Sequence, residues 1–128
     1  MLSSLKERIE MYYKDLEVWK EAIALTTEIY TITKSFPDDE KYGLVSQMRR
    51  AVVAIPSNIA EGSSRKSDKD TVRFVDIAIA SLAELDTQII ISQNLGYLND
   101  SSEIKTKIDK LFALLRGLQK YMMEQIKM

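Results

Sequence analysis

Apolar residues recur every three or four positions along four stretches of this chain, which is the period of an α-helix with one buried face. The pattern is clearest in the third stretch, which repeats the heptad-like series Val75, Ala78, Leu82, Leu85 and Ile89. Only four Gly and two Pro occur among the 128 residues, too few for the many sharp corners of a strand-and-turn protein. The periodicity therefore predicts an all-α chain.

Residues that start or stop helices set the predicted boundaries. Helices are expected over about 16–35, 41–61, 69–95 and 102–126, with a shorter one over about 4–13, in a single domain spanning 1–128. Asp15 is expected to cap the first long helix, and Ser67 or Asp68 the third. Gly62 and Gly96 are the expected left-handed C-terminal residues. Because short connections make neighbours antiparallel, we expect an up-down-up-down four-helix bundle.

Pro56 lies inside the second predicted helix, whose apolar stripe includes Val52 and Ile55. A proline in this position removes one backbone hydrogen bond, and its ring clashes with the carbonyl of Val52. A kink near Val52 to Ile55 is therefore predicted. Two interpretations stay open. In the preferred one a bent helix wraps its bundle, and in the other the freed carbonyl joins Ser57 and Asn58 in a polar site.

The third predicted helix is apolar on more faces than one bundle can cover. The apolar residues outside its bundle-facing stripe include Ile77, Ile79, Ala80, Ala83 and Ile91. Burying an isoleucine contributes about 1.5–3 kcal/mol, so three left in water would forgo several kcal/mol. A second apolar face indicates a second partner. We therefore expect a homo-oligomer whose contact includes Ile77, Ala80, Ala83 and Ile91, with Arg50 of the second helix near Glu84.

The composition removes most catalytic chemistry. The chain has no Cys and no His, which excludes thiolate nucleophiles, histidine bases and Glu-x-x-His di-iron sites. Glu17 and Glu21 lie one turn apart, as metal-binding carboxylates of helical pyrophosphohydrolases do, but no second acidic pair matches them. We expect no enzymatic activity, no metal and no other cofactor.

The formal net charge of −1 gives no overall basic field that would attract nucleic acid. The candidate nucleic-acid contacts are four basic side chains after the second helix: Arg65, Lys66, Lys69 and Arg73. Three acidic residues are interleaved with them or lie close by, Asp68, Asp70 and Asp76, and nearly cancel their charge. A solvated loop is therefore the preferred interpretation over a phosphate site.

Four aromatic side chains fall on or beside the core stripes: Trp19, Tyr30, Phe36 and Phe112. They are predicted to pack in the core and not to stack on bases. The N-terminal stretch lacks the apolar segment of a signal peptide, and no apolar run approaches the length of a membrane span. A cytoplasmic protein without membrane contact is expected.

Three segments carry a resemblance to a known family. The first has the form FP-x-x-E-x-x-x-L-x-x-Q-x-R-R, with Phe36, Pro37, Glu40, Leu44, Gln47, Arg49 and Arg50 at its fixed positions. The second is the proline-bearing run that ends in S-N-I-A-E-G, Ser57 to Gly62. The third contains Ser81 and Glu84. In these segments, and over roughly residues 15 to 98, the chain resembles the 23S rRNA-intervening sequence proteins. Ala54 and Ala80 depart from the usual Ser and Gly of the family.

The resemblance implies an antiparallel four-helix bundle that assembles into a homo-oligomer, commonly a ring of five. Members are encoded inside intervening sequences of large-subunit rRNA genes and elsewhere. Related accessory variability determinant proteins of retroelements bind nucleic acid and a reverse transcriptase. The polar residues that match the signature are interpreted as structural or interface residues: Arg49, Arg50, Asn58, Glu61, Ser81 and Glu84.

Two function classes follow from these observations. The first is a non-enzymatic oligomeric bundle associated with RNA or DNA, serving as an accessory or scaffold protein. The second is a protein-interaction scaffold without nucleic-acid contact. An RNA gel-shift series against salt separates them, because phosphate contacts weaken steeply as salt rises.

Overall fold

The computed structural model describes residues 13–127, which form four α-helices and no β-strand. The helices are α1 (Glu17–Thr33), α2 (Leu44–Ser63), α3 (Asp68–Asn94) and α4 (Ser102–Lys127). Single 3-10 turns occupy Tyr13–Asp15 and Asp38–Glu40. The all-α prediction is confirmed. The predicted helix over 4–13 lies outside the described residues except for Tyr13. Within 13–127 no helix combines the length and apolarity needed to cross a membrane.

One core fills the space between the four helices. The predicted stripe of α3 is buried from Val75 to Ile89, and the stripes of α2 and α4 are buried at Met48, Val52, Ile108 and Leu115. In the described residues each helix packs against its neighbours in sequence, and α1 also packs against α4. The four elements therefore enclose the core in the manner of a four-helix bundle.

Helix α1 buries one face most completely. Ala22, Leu25 and Ile29 are fully buried, whereas Ile23 and Tyr30 are each 39% exposed. The prediction that Tyr30 packs in the core is wrong, because its ring lies at the edge of the contact with α2, where the Arg49 guanidinium covers it. Phe36 is buried, and Trp19 and Phe112 pack against the core as predicted.

The predicted helix ends are confirmed in part. The hydroxyl of Ser67 accepts the Asp70 amide at 3.1 Å, and Gly96 has the left-handed φ of 79° that allows α3 to stop. Asp15 does not cap α1, since it belongs to the preceding 3-10 turn and Leu16 directly precedes the helix without a side-chain cap. Helix α2 begins later than predicted because the acidic residues from Asp38 form their own turn.

Lysines of α4 bind carboxylates of the helices on either side. Lys107 donates to Glu28 of α1 at 2.6 Å, and Lys105 donates to Asp86 of α3 at 3.2 Å. These hydrogen bonds raise the pKa of both lysines. Asp86, one of the acidic residues in the apolar third helix, therefore finds its cation within the same chain.

Candidate functional site

A hydrogen bond between side chains joins the segment after α1 to the segment after α3. The Tyr97 hydroxyl donates to Glu40 Oε2 at 2.9 Å, and the Leu44 amide donates to Glu40 Oε1 at 3.3 Å. The hydrogen bond to Glu40 raises the pKa of Tyr97. The ring of Tyr97 also lies 5.4 Å from that of Phe36. Phe36 and Glu40 of the first signature segment are thus occupied in holding two connections together and capping α2.

Arg49 is occupied at the C-terminal end of α1. Its Nε donates to Thr33 Oγ1 at 3.0 Å and its Nη2 to the Tyr30 carbonyl at 3.4 Å. The guanidinium lies 4.6 Å from the Tyr30 ring centroid. A cation at this position satisfies a carbonyl that the helix end leaves free. Arg49 therefore stabilises the helix end, but within residues 13–127 it forms no ion pair with a carboxylate.

Pro56 is buried in α2, and its lost hydrogen bond is replaced from outside the helix. The Thr26 hydroxyl of α1 lies 3.2 Å from the Val52 carbonyl, which would otherwise have bonded to the amide of residue 56. The same hydroxyl reaches the Ala22 carbonyl at 2.8 Å. Asn58 donates to the Ala54 carbonyl at 2.7 Å. The single proton of the Thr26 hydroxyl is therefore shared between the Ala22 carbonyl and the freed Val52 carbonyl, which receives the longer contact.

Gly62 lies inside α2, and the prediction that it ends the helix in a left-handed conformation is wrong. Among the described residues, Gly96 alone has positive φ. Gly62 is buried because α3 passes very close: a Cβ built on it would lie 2.9 Å from the Cβ of Phe74, and its carbonyl accepts the Thr71 hydroxyl at 2.9 Å. Glycine is required here for helix contact, a reason that local sequence does not reveal.

The outer face of α3 carries an exposed apolar surface, which we call the α3 face. It comprises Ile77, Ala80, Glu84 and Ile91, whose spacing of three, four and seven places them on one side of the helix. Ile77 is 47% exposed and Ile91 is 42% exposed. Ala83 is also exposed, at the edge of this face. Ile79 was predicted to lie outside the bundle-facing stripe, but it packs against the core.

A polar pair with an unmet acceptor lies beside the α3 face. Gln88 is only 4% exposed and donates through Nε2 to Glu84 Oε1 at 3.3 Å. Its Oε1 is buried and has no partner within residues 13–127. Glu84, by contrast, is exposed and forms no ion pair there. A buried acceptor without a partner is costly, and this oxygen is enclosed within the single chain, where a second copy could not reach it.

Two of the four basic side chains that follow α2 are paired with carboxylates. Arg65 pairs with Glu61 at 3.3 Å and stacks over the Phe74 ring at 4.5 Å. Arg73 lies 3.8 Å from Asp70. In the described part of the chain Lys66 and Lys69 form no ion pair, and both are exposed. Arg65 and Lys66 lie in the connection between the helices, whereas Lys69 and Arg73 belong to the start of α3 and not to a loop.

The acidic pair on α1 is bound by a lysine. Lys110 of α4 lies 3.0 Å from Glu21 and 3.3 Å from Glu17, and these hydrogen bonds raise its pKa, the one to Glu21 most. No group of three or more acidic side chains within residues 13–127 could hold a metal ion. The pair is therefore used between helices, in a contact that the spacing of Glu17 and Glu21 alone did not indicate.

The signature residues thus fall into two groups. Arg49, Asn58 and Glu61 have bonds inside the chain. The side chains of Arg50 and Ser81 have no hydrogen-bond partner among residues 13–127, and Glu84 has only Gln88. Sequence reasoning missed Thr26, Gln88 and Lys110, because an ordinary polar residue on a helix gives no signal of a partner far along the chain.

Comparison with known proteins agrees with these motifs. No curated protein matches the chain significantly. The sequence profile of the 23S rRNA-intervening sequence proteins matches residues 14–117, which includes every signature segment and nearly all of the described helices. A match over so much of the chain settles its family: it belongs to the 23S rRNA-intervening sequence proteins.

Proposed function

We propose that this protein is a non-enzymatic, self-associating helical bundle that serves as an accessory or scaffold protein and associates with nucleic acid, in the cytoplasm. The observation that carries self-association is the α3 face with its exposed isoleucines. Ile77 and Ile91 are 47% and 42% exposed in a single chain, and contact with another copy would bury them.

The polar chemistry of the contact is part of the proposal. Glu84 is exposed beside apolar residues, and Arg50 of α2 forms no ion pair with any carboxylate in residues 13–127. A carboxylate that becomes buried needs a cation and hydrogen bonds to offset its desolvation. Glu84 would meet Arg50 of the partner subunit, and Ala80 would allow the close approach. Family membership favours a closed ring of five copies.

The same proposal includes an antiparallel up-down-up-down arrangement with α2 bent at Pro56. Contacts between elements support it, because chain numbers fall on one helix as they rise on the next. Glu21 and Glu28 contact Lys110 and Lys107 in that order, while Met48 meets Ser92 and Gly62 meets Thr71. The Thr26 bond to the Val52 carbonyl supports a bend, since a carbonyl released from its helix can tilt toward its new donor.

Sedimentation velocity at micromolar concentration tests self-association. We expect one oligomeric species, near five copies, that persists on dilution through the micromolar range. A monomer at these concentrations would contradict the inference from the α3 face.

Structured RNA incubated with the protein should remain intact. Cleavage that co-purifies with the protein and survives Glu17→Gln with Glu21→Gln would contradict the non-enzymatic proposal.

The second candidate function is a protein-interaction scaffold without nucleic-acid contact. It is favoured by the net charge of −1 and by the ion pairs of Arg65 and Arg73. A gel-shift series with structured RNA decides between the two. Binding that weakens steeply with salt supports nucleic-acid association, and the absence of a shift at low salt supports the scaffold.

A further inference from the structure

A groove on the outer side of α1 and α2 combines unpaired cations with exposed aromatic rings. Its volume is about 690 Å³, and the residues used below are Tyr30, Lys41, Tyr42, Arg49, Arg50 and Val53. Its charged lining residues are the cations Lys41, Arg49 and Arg50, with no carboxylate among them, and Arg50 is the one assigned above to the subunit contact. In a chain of net charge −1, such a local excess of positive charge indicates attraction for an anion.

The cations of this groove differ from the lysines of α4, which are paired with carboxylates. Lys41 forms no ion pair in the described part of the chain, and its Nζ lies 5.5 Å from the centroid of the Tyr42 ring. Arg49 is oriented by Thr33 and the Tyr30 carbonyl, both neutral acceptors, so its charge is uncompensated. One flexible and one fixed cation therefore face the groove.

The aromatic rings of the groove are not needed for packing. Tyr42 is 89% exposed, more than any other large apolar or aromatic side chain among residues 13–127, and Tyr30 is 39% exposed. Folding gains little from a ring left in water. Proteins that bind single-stranded nucleic acid present exposed aromatic rings flanked by cations, because bases stack on the rings and phosphates contact the cations.

The groove is extended along the seam between α1 and α2. Val53 also lines a second depression of about 300 Å³, together with Trp19, Ile23 and Pro56. On the other side lies a smaller depression of about 140 Å³, which has the carboxylate of Asp38 beside its cations and, unlike the groove, no tyrosine ring in its lining. The shape suits a strand that runs from Tyr42 toward Trp19.

We propose that this groove binds a single-stranded nucleic acid, with one base stacked on Tyr42 and phosphates contacting Lys41 and Arg49. A duplex fits less well, because its bases are stacked on one another and cannot lie on the tyrosine rings. This inference rests on the nucleic-acid part of the proposed function and specifies its site and ligand class. It uses Lys41 and Arg49 only, because Arg50 is assigned to the contact with Glu84 of the partner subunit.

The test uses fluorescence anisotropy of the full chain with RNA and DNA oligonucleotides of roughly ten nucleotides, a typical site size. Tyr42→Ala should weaken binding about five- to hundredfold, whereas Tyr42→Phe, which keeps the ring, should bind like the wild type. With two phosphate contacts the logarithm of affinity should fall against the logarithm of salt with a slope of about −1.4, and Lys41→Ala should flatten it by about 0.7. Lys66→Ala tests the alternative basic cluster after α2, and Lys120→Ala is the matched control, an exposed lysine of α4 outside both regions.

The outcomes separate this inference from the proposed function. If Lys66→Ala weakens binding while Tyr42→Ala and Lys41→Ala bind like the wild type, the groove is not the binding site, but nucleic-acid association still holds. Equal affinity for a duplex of the same sequence overturns the single-strand assignment. No binding of any oligonucleotide at low salt overturns both the inference and nucleic-acid association, while sedimentation tests self-association independently. Comparison of the affinities for the RNA and DNA oligonucleotides identifies which of the two nucleic acids the groove prefers.

Discussion

At the scale of single residues, the polar side chains of this bundle act mainly by completing hydrogen bonds that helices leave open. Glu40 caps α2 while binding Tyr97, and Arg49 binds the end of α1. Thr26 does the same for a carbonyl in the middle of a helix. The bonds made by Glu40 and Thr26 are part-buried, where water is a poorer substitute than at the exposed bond of Arg49, so their removal should have the larger effect on folding.

Thr26→Val is expected to destabilise the protein by about 1–3 kcal/mol, because it leaves the Val52 carbonyl beside Pro56 without a donor. Thr27→Val is the matched control. Thr27 is exposed and its hydroxyl bonds only to Ile23 in its own helix, so the change should stay within about 0.5 kcal/mol. Urea unfolding curves give both values. Equal effects of the two substitutions would show that the Thr26 bond to α2 contributes nothing.

Replacement by alanine should change the stability of the protein in opposite directions at two glycines that lie inside helices. Gly62→Ala would place a Cβ 2.9 Å from Phe74 and should destabilise the protein by about 1–3 kcal/mol through overpacking. Gly117→Ala meets no atom within 4 Å and should stabilise it by about 0.5–1 kcal/mol through helix propensity. Thermal or urea unfolding measures both. A stabilising Gly62→Ala would refute close packing of α2 on α3.

At the scale of elements, α2 and α3 carry most of what distinguishes this chain from a generic bundle. Helix α2 contains a buried proline and contributes Arg49 and Arg50 to the groove. Helix α3 is the longest and has apolar residues both inside and outside the bundle. The inner stripe is explained by the core of one chain. The outer residues are explained only by a further contact.

Pro56→Ala should leave helix content unchanged and alter the free energy of unfolding by no more than about 1 kcal/mol. The restored amide can bond to Val52, which offsets the packing lost with the proline ring. The oligomer should persist, because the bend is expected to follow the bundle surface passively. Circular dichroism and light scattering check this. Retained helix content with lost assembly would instead show that the bend sets subunit geometry.

At the scale of the whole molecule, two surfaces remain without a role in one copy of the chain. The α3 face carries exposed isoleucines beside Glu84, and the groove between α1 and α2 is cationic and aromatic. The different chemistry of the two surfaces assigns them different occupants. Another copy suits the first surface, and a polyanion with stacked bases suits the second.

Ala80→Arg is expected to dissociate the oligomer with little loss of helix content. The substitution adds bulk and charge to the α3 face, where Ala80 is exposed in the single chain. Ala113→Arg is the matched control, an exposed alanine on α4 outside that face. Sedimentation velocity should show the oligomer for the control and monomers for Ala80→Arg. Dissociation by both variants, or by neither, would remove the α3 face as the subunit contact.

Periodicity in the sequence determined the four helices and most of the core. Val75 to Ile89 had to be buried together, because apolar residues at steps of three and four share one face of a helix whatever that face packs against. Caps depend on a few neighbouring residues, so Ser67 and Gly96 were also predictable. The signature segments, matched by the family profile, identified the chain by the same local information.

Only the tertiary structure decided which polar side chains find a partner on another helix and which do not. Thr26 meets Val52, and Lys110 binds Glu17 and Glu21, across separations that no local pattern encodes. Tyr30 was predicted to pack in the core, yet its ring is 39% exposed at the edge of the contact with α2. Gly62 resembled a helix end, yet it lies where α3 approaches most closely. Burial and pairing depend on which helix lies alongside, a property of the packed bundle and not of any one segment.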